Sequence, residues 1–220
     1  MSRKAEPQAT VLPLTILGRP TSINVRKVLW TAEEVGVPYR HEAEWAADRA
    51  VDTPEFKHLN PNGFVPVVLD AGAVLWESNP ICRYLAAKHA RTDLLPAEPL
   101  ARVEVERWMD WQATTLTTAS QYAFMGLVRR ASHYQDTAEI TRSGRAWNRA
   151  ITVLEELLAR GGPYIAAEHF TLADMVVALS IHRWRITPIE HVAVPSLDQY
   201  MERLRQRPAA RWLDAEFPCP

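Results

Sequence analysis

Cysteine is scarce in this chain of 220 residues, which contains only Cys82 and Cys219. Two cysteines so far apart in sequence form neither a Cys-x-x-Cys redox pair nor a set of zinc ligands. We therefore expect no structural metal and no mechanism that cycles a dithiol. So few cysteines also suit a reducing compartment, and we predict a cytoplasmic protein.

An excess of charge is also absent, because 25 Lys and Arg stand against 26 Asp and Glu. A balance this close lacks the positive field that binds nucleic acids or anionic membrane surfaces. No apolar run approaches the roughly 20 residues that span a bilayer, and residues 1–9 are polar. We expect no nucleic-acid partner and no membrane association. A chain of this length can form one large or two small domains with ample core.

Short segments with strand-like and helix-like patterns alternate over the first third of the chain. Two strands flank a helix, and a hairpin and a second helix follow, which gives a βαβ unit and then a ββα unit. Between the units we expect a loop with a short helix at most, because Pro54 interrupts it. The predicted strands are residues 11–17, 39–45, 65–69 and 74–76, and the predicted helices are residues 23–36 and 78–89.

Apolar residues at helical spacing dominate the chain after residues 91–99, a predicted linker with two prolines. Thr171 with Asp174 three residues later predicts a capping box at the start of a buried helix. We therefore predict an α/β domain at residues 10–90 and an all-α domain at residues 100–220. The spacing predicts one long helix or a bent pair of helices over residues 100–130, and helices over residues 138–160 and 172–186.

The most informative stretch is residues 60–69, Asn-Pro-Asn-Gly-Phe-Val-Pro-Val-Val-Leu. Its Pro66 lacks the N–H that a central strand donates to a neighbouring strand, so we expect the backbone there to face a ligand. Glu77 and Ser78 then begin a helix. Free N–H groups, a hydroxyl and a carboxylate at that position suit a ligand that carries both an ammonium and a carboxylate. Together these features predict a peptide-binding site.

Four segments in this order resemble the cytosolic glutathione S-transferases of the bacterial serine type, and the resemblance covers nearly the whole chain. They are residues 18–28 (Gly-Arg-Pro-Thr-Ser-Ile-Asn-Val-Arg-Lys-Val), Val65-Pro66, Glu77-Ser78 and residues 170–174 (Phe-Thr-Leu-Ala-Asp). The resemblance implies a thioredoxin-like N-terminal domain followed by an all-α helical bundle. It also implies that glutathione is a co-substrate, that no metal or nucleotide is needed, and that the protein is a homodimer.

The resemblance assigns Ser22 as the residue that activates the glutathione thiol, because it precedes the Arg26-Lys27-Val28 pattern as the catalytic serine does in the family. A serine in front of a helix also commonly serves only as its N-cap. Thr21 and Asn24 are rivals, since both are polar and lie on the same turn. Because this position is neither cysteine nor tyrosine, the cysteine-type and tyrosine-type branches of the family are disfavoured.

The resemblance also implies the residues that bind glutathione. The backbone of Val65 would pair with the cysteinyl unit, next to a cis peptide bond at Pro66. Glu77 and Ser78 would bind the γ-glutamyl ammonium and carboxylate. Ordinary capping of the helix is the alternative role for these two residues.

Two departures from the family pattern affect glutathione affinity. Serine-type relatives often carry a basic residue before the Pro54 stretch to bind the glycyl carboxylate, whereas this chain has Val, Asp and Thr at residues 51–53. Arg49 or Lys57 is a possible substitute. Phe64 likewise replaces the polar glutamine that many relatives have before the strand.

A stripe of residues spaced three and four apart on the long helix predicts where the electrophile binds. We assign Trp108 and Met125 of this stripe to the core. An arginine in the pocket would favour substrates that bear a carboxylate or another anion, although it could equally compensate the negative end of its helix. The predicted acceptor-site residues are Trp111, Thr115, Tyr122 and Arg129.

Several functions are compatible with these residues. The first is attack by the glutathione thiolate on a small electrophile, with halogenated or unsaturated carboxylates as candidate substrates. Glutathione-dependent isomerisation or thiol reduction would use the same pocket, but reduction is disfavoured because no cysteine begins the helix to form a mixed disulfide. A non-catalytic binding protein with this fold is the alternative from another class.

Overall fold

A computed structural model describes residues 14–213. Its four strands form one sheet in the order β2-β1-β3-β4, with β1 parallel to β2 and the other two neighbours antiparallel. The turn between β3 and β4 consists of Ala71 and Gly72, both with positive φ, as a tight hairpin requires. The strands are β1 Leu14–Leu17, β2 Tyr39–Glu42, β3 Val67–Asp70 and β4 Ala73–Trp76.

Three helices accompany the sheet: α1 Ile23–Val35, α2 Pro54–Leu59 and α3 Ser78–Lys88. Pro54 begins α2 instead of interrupting it, because an N–H in the first turn of a helix has no intrahelical acceptor and its absence costs no hydrogen bond. The Thr53 hydroxyl caps this helix by accepting a hydrogen bond from the Phe56 N–H at 3.2 Å.

The rest of the described chain is helical. Helix α4 leads without a break through a π-helical turn at Gln112–Leu116 into α5, so the predicted helix over residues 100–130 consists of three segments. Two short 3₁₀ segments lie at Ser132–Tyr134 and Pro208–Trp212. The helices are α4 Pro99–Trp111, α5 Thr117–Leu127, α6 Thr137–Ala159, α7 Leu172–Ile186 and α8 Pro195–Arg205.

Helix α7 is the centre of the helical half, and every residue from Leu172 to Ile181 is buried. Its start confirms the predicted capping box of Thr171 and Asp174. The core continues from α7 to α1, where the fully buried Thr31 hydroxyl donates to the sulfur of Met175 at 3.7 Å. The two halves are therefore joined by a shared hydrophobic core.

The structure confirms the predicted fold class, a thioredoxin-like α/β unit followed by a helical bundle. Strand β3 begins at Val67, two residues later than predicted, because Pro66 cannot donate to the sheet. The predicted strand residues 11–13, the domain ends at 10 and 220, and Cys219 lie outside the described residues.

Candidate active site

One open cleft runs between the sheet half and the helical half, with a volume of about 1370 Å³. It is lined by the β1–α1 loop, the segment before β3, the start of α3, and residues of α4, α5 and α7. The cleft includes Ser22, Asn24, Val65, Pro66, Glu77, Ser78 and Arg129, and thus most of the sequence-predicted site residues.

Gly18 fixes the path of the β1–α1 loop along this cleft. A Cβ atom there would lie 2.6 Å from Val25 Cγ2 and 2.8 Å from Val65 Cβ, and the φ of +140° is unfavourable for other residues. The close approach brings the loop against the segment that contains Val65. As a result, Ser22 and the Val65 backbone lie on neighbouring walls of the cleft.

Ser22 occupies the N-cap position of α1, but its side chain makes no capping hydrogen bond. Its backbone N–H donates to the Arg19 carbonyl at 3.1 Å, and its carbonyl accepts from the Arg26 N–H at 3.0 Å. The hydroxyl is therefore not used for capping, and it faces the cleft at the positive end of the α1 dipole.

The two rivals of Ser22 differ in position. The Thr21 hydroxyl is buried without a hydrogen-bond partner among the described residues, and Thr21 does not line the cleft. Asn24 is exposed and does line it. On geometry alone, Asn24 is the closer rival.

The Val65–Pro66 peptide bond is cis, as the resemblance implies. The ladder between β1 and β3 ends where Leu17 pairs with Val67, so Val65 lies beyond the paired residues. The Asn60 side-chain amide donates to the Phe64 carbonyl at 2.7 Å and so stabilises the segment just before Val65. Val65 thus lies outside the β1–β3 ladder and lines the cleft.

Glu77 and Ser78 begin α3 at the other end of the cleft. Glu77 has a φ of +70°, a strained backbone conformation for a residue other than glycine, and its side chain makes no capping hydrogen bond. Ser78 is buried but lines the cleft. Glu77 and Ser78 are thus both part of the cleft lining at the start of α3.

Lys27 is a buried lysine in the cleft wall that sequence reasoning did not single out. Its ammonium donates to Gln112 Oε1 at 2.6 Å and to Asn79 Oδ1 at 3.3 Å, which links α1 with the helical half. Burial, with a smaller contribution from the charge of Arg183, lowers the pKa of Lys27 to about 8. The sequence offered one signal for this site: Lys27 is a charged residue between the apolar positions Val25 and Val28 of the predicted helix.

The region assigned to the glycyl carboxylate contains both candidate cations. The Arg49 guanidinium lies 3.5 Å from the centroid of the Trp45 ring and pairs with Glu55 at 2.7 Å. Lys57 pairs with Asp52. Both basic residues line the cleft, so a glycyl carboxylate would compete with an existing ion pair in either case.

The structure separates the four predicted acceptor-site residues. Arg129 lines the cleft, but Trp111, Thr115 and Tyr122 do not. Trp111 packs edge to face on Trp108 at 5.3 Å, Thr115 is exposed, and Tyr122 packs against the Tyr134 ring at 5.1 Å.

A π-helical turn at Gln112–Leu116 separates Trp111 from Tyr122 along the predicted stripe. It adds a residue to one turn and rotates the following positions, so α-helical spacing does not hold across it. Met125, assigned to the core, packs against the core and also reaches the cleft. The residues of α4, the π-helical turn, α5 and α7 that line the cleft are Asp110, Ala113, Thr117, Ser120, Gln121, Phe124, Met125 and Arg183.

Within residues 14–213, no cluster of His, Cys, Asp and Glu is arranged to hold a metal ion. None of the helices in that range is long and apolar enough to cross a bilayer.

Comparisons with known proteins agree with this geometry. The glutathione S-transferase N-terminal domain model matches residues 21–88, and the C-terminal domain model matches residues 116–208. Glutathione S-transferase GstB of Escherichia coli is 34% identical over 200 residues, which cover 90% of this chain and 96% of the relative. Glutathione S-transferase 3 of Zea mays is 33% identical over 215 residues, which cover 94% of this chain and 96% of the relative.

A solved structure is also similar over almost the whole chain. It is the theta class glutathione S-transferase of Xanthomonas axonopodis pv. citri with glutathione bound. The TM-score is 0.85 at 39% identity, and the match covers 93% of this chain and 99% of that one.

Proposed function

This chain belongs to the glutathione S-transferase family, and we propose that Ser22 activates the thiol of bound glutathione for attack on a small electrophile. The position of Ser22 carries this proposal: it lines the cleft at the start of α1, and its side chain makes no capping hydrogen bond. Conjugation of glutathione in the cytoplasm, as part of detoxification, is the role that we propose. Cell fractionation would test the location.

The energetics of thiol activation are within reach of this site. The pKa of a free thiol is about 8.5, so only a few per cent is thiolate at neutral pH, and the thiolate is the nucleophile. Lowering that pKa by roughly two units takes about 2.7 kcal/mol. A hydrogen bond to a charged group contributes about 1.5–3 kcal/mol, and a helix N-terminus contributes about 0.3–1 kcal/mol. Together, the Ser22 hydroxyl and the N-terminus of α1 can supply the free energy that a shift of two pKa units requires.

The same proposal places glutathione along the sheet side of the cleft. Its cysteinyl unit pairs with the Val65 backbone before the cis Pro66, and its γ-glutamyl group binds to Glu77 and Ser78. The thiol then lies near Ser22, because the close packing at Gly18 brings these two walls together. Its glycyl end extends toward Arg49 and Lys57, which line the far part of the cleft.

An ultraviolet difference titration of the protein–glutathione complex tests the proposal. We expect the thiolate absorbance to appear with a midpoint about two pH units below that of free glutathione, because the site stabilises the anion. The complex with S-methylglutathione, which has no thiol to ionise, is the blank. Saturable binding with an unshifted midpoint would contradict activation and favour a non-catalytic binder. Absence of binding would contradict the proposed pose as well.

Thiol reduction through a protein cysteine is disfavoured by the only cysteine in the described residues. Cys82 is buried within α3, and burial raises the pKa of its thiol to about 11. A thiol that is protonated at neutral pH and shielded from solvent is a poor nucleophile. Transfer of glutathione to an electrophile therefore remains the better supported reaction.

We also propose a homodimer. Val74 and Trp76 lie on the edge strand β4, and Leu100 and Val103 lie one turn apart on α4; all four side chains are exposed. Exposed apolar side chains on an edge strand and on a helix support an interface with another chain. Sedimentation equilibrium should give twice the mass of one chain, and a monomer mass would contradict the proposal.

A further inference from the structure

Three of the cationic side chains that line the same cleft as Ser22 are Lys27 of α1, Arg129 beyond α5 and Arg183 of α7. The Arg183 guanidinium carbon lies 4.2 Å from the centroid of the Phe124 ring, and that of Arg129 lies 5.6 Å from the same centroid. Aromatic rings attract guanidinium groups at such distances. Phe124 therefore holds two arginines in the wall that the helical half contributes.

Arg129 is fixed beside the loop that contains Ser22. Its Nη2 donates to the Thr21 carbonyl at 3.1 Å, across the boundary between the two halves. A group bound by Arg129 would therefore lie within a short distance of a sulfur atom at Ser22. This position suits a reacting second substrate rather than a remote anchor.

The charges of the cleft are predominantly positive. Seven Lys and Arg residues line it, against the three acids Asp52, Glu77 and Asp110. Asp52 pairs with Lys57, and Asp110 accepts a hydrogen bond from Arg83 at 2.5 Å. Glu77 lies at the end of the cleft that is assigned to the γ-glutamyl ammonium. Arg129 and Arg183 are the two of these seven that lie in the wall contributed by the helical half.

Glutathione itself does not account for this wall. In the proposed pose its two carboxylates lie at the opposite ends of the sheet side, near Ser78 and near Arg49. We propose that the acceptor half of the cleft selects an electrophile that carries a carboxylate, with Arg129 and Arg183 as the residues that determine this specificity. The inference rests on the proposed glutathione transferase function. A guanidinium fork matches the two oxygens of a carboxylate.

A pair of activated aryl chlorides, 4-chloro-3-nitrobenzoate and 4-chloro-3-nitrobenzamide, provides the test. In each reaction the thiolate sulfur attacks the carbon that bears chlorine, the carbon–sulfur bond forms, and the carbon–chlorine bond breaks with release of chloride. The thiol proton passes to solvent. Only the first compound is an anion, so the pair separates charge recognition from reactivity once each rate is divided by the uncatalysed rate with glutathione.

We expect Arg129→Gln and Arg183→Gln each to lower kcat/KM for the benzoate about ten- to a hundredfold, as loss of a charge-assisted hydrogen bond does. For the benzamide we expect a change of less than about threefold, since a neutral group makes no ion pair. Arg130→Gln is the matched control: it removes the same charge from the adjacent exposed residue, which does not line the cleft. It should leave both rates nearly unchanged.

Equal losses with both substrates would overturn the inference, because the arginines would then support the thiolate or the fold. Binding of the two S-aryl glutathione products, measured by calorimetry, gives a readout that does not depend on turnover. The variants should bind the carboxylate product more weakly and the amide product normally; equal affinities would also overturn the inference. If the wild-type protein turned over neither chloride and showed no thiolate shift, the proposed function itself would fail. If the wild-type protein preferred the benzamide, the inference about Arg129 and Arg183 would be contradicted, while the proposed transferase function would stand.

Discussion

Ser22→Ala should lower kcat/KM for glutathione conjugation at pH 6.5 by about ten- to a hundredfold. Removing a hydrogen bond of about 1.5–3 kcal/mol to the thiolate raises the pKa of the bound thiol by about one to two units. The affinity for glutathione should change little, because in the proposed pose Val65, Glu77 and Ser78 bind the peptide away from its sulfur. The pH–rate profile and the thiolate titration measure the same shift independently.

The shape of the pH profile separates this role from a structural one. A variant that lacks only thiol activation should recover rate as the pH rises above the pKa of free glutathione, whereas a distorted site should remain slow at every pH. Ser22→Thr keeps a hydroxyl and should retain more activity than Ser22→Ala. Thr21→Val, at a residue outside the cleft lining, and Asn24→Ala test the two rivals. A larger shift in the thiol pKa for either rival than for Ser22→Ala would reassign the activating residue.

Local patterns in the sequence predicted the elements that border the sheet half of the cleft. The start of α3 at Ser78 and the loop before α1 each depend on a few adjacent residues, whereas the cis bond at Pro66 was implied only by the family resemblance. A proline that cannot donate and a helix that needs a first turn impose their geometry locally. Short-range constraints of this kind can be recognised in a single sequence.

The helical half was harder to predict because its wall depends on helix phase and on contacts between distant residues. The π-helical turn at Gln112–Leu116 interrupts the α-helical spacing on which the acceptor-site prediction depended. Tyr122, beyond that turn, does not line the cleft. Lys27 and Gln112 are 85 residues apart, and their 2.6 Å hydrogen bond exists only once both halves have packed together. Periodicity indicates an apolar face of a helix, but it does not indicate which neighbour covers that face.

Asp174→Ala should destabilise the protein by about 3–5 kcal/mol, which is a large part of the stability of an ordinary domain. The Asp174 carboxylate is fully buried and accepts hydrogen bonds from the N–H groups of Ile165 and Thr171, at 2.9 and 2.8 Å, and from the Tyr200 hydroxyl at 2.9 Å. Removal leaves these donors in the core without partners, and each orphaned donor costs about 1–3 kcal/mol. Urea unfolding followed by tryptophan fluorescence measures the loss.

Asp136→Ala is the matched control, because Asp136 caps α6 through the N–H groups of Ala138 and Glu139 at 2.8 and 3.1 Å but is exposed. Water can replace the lost acceptor there, so we expect a loss of about 1 kcal/mol. Asp174→Asn should fall between the two, since an amide keeps one acceptor oxygen but turns an N–H donor toward one of the backbone donors. Equal losses for the two alanine variants would mean that burial adds nothing to the cap. A loss at Asp174 several times larger would show that the stability of the protein depends on the buried acceptor at the start of α7.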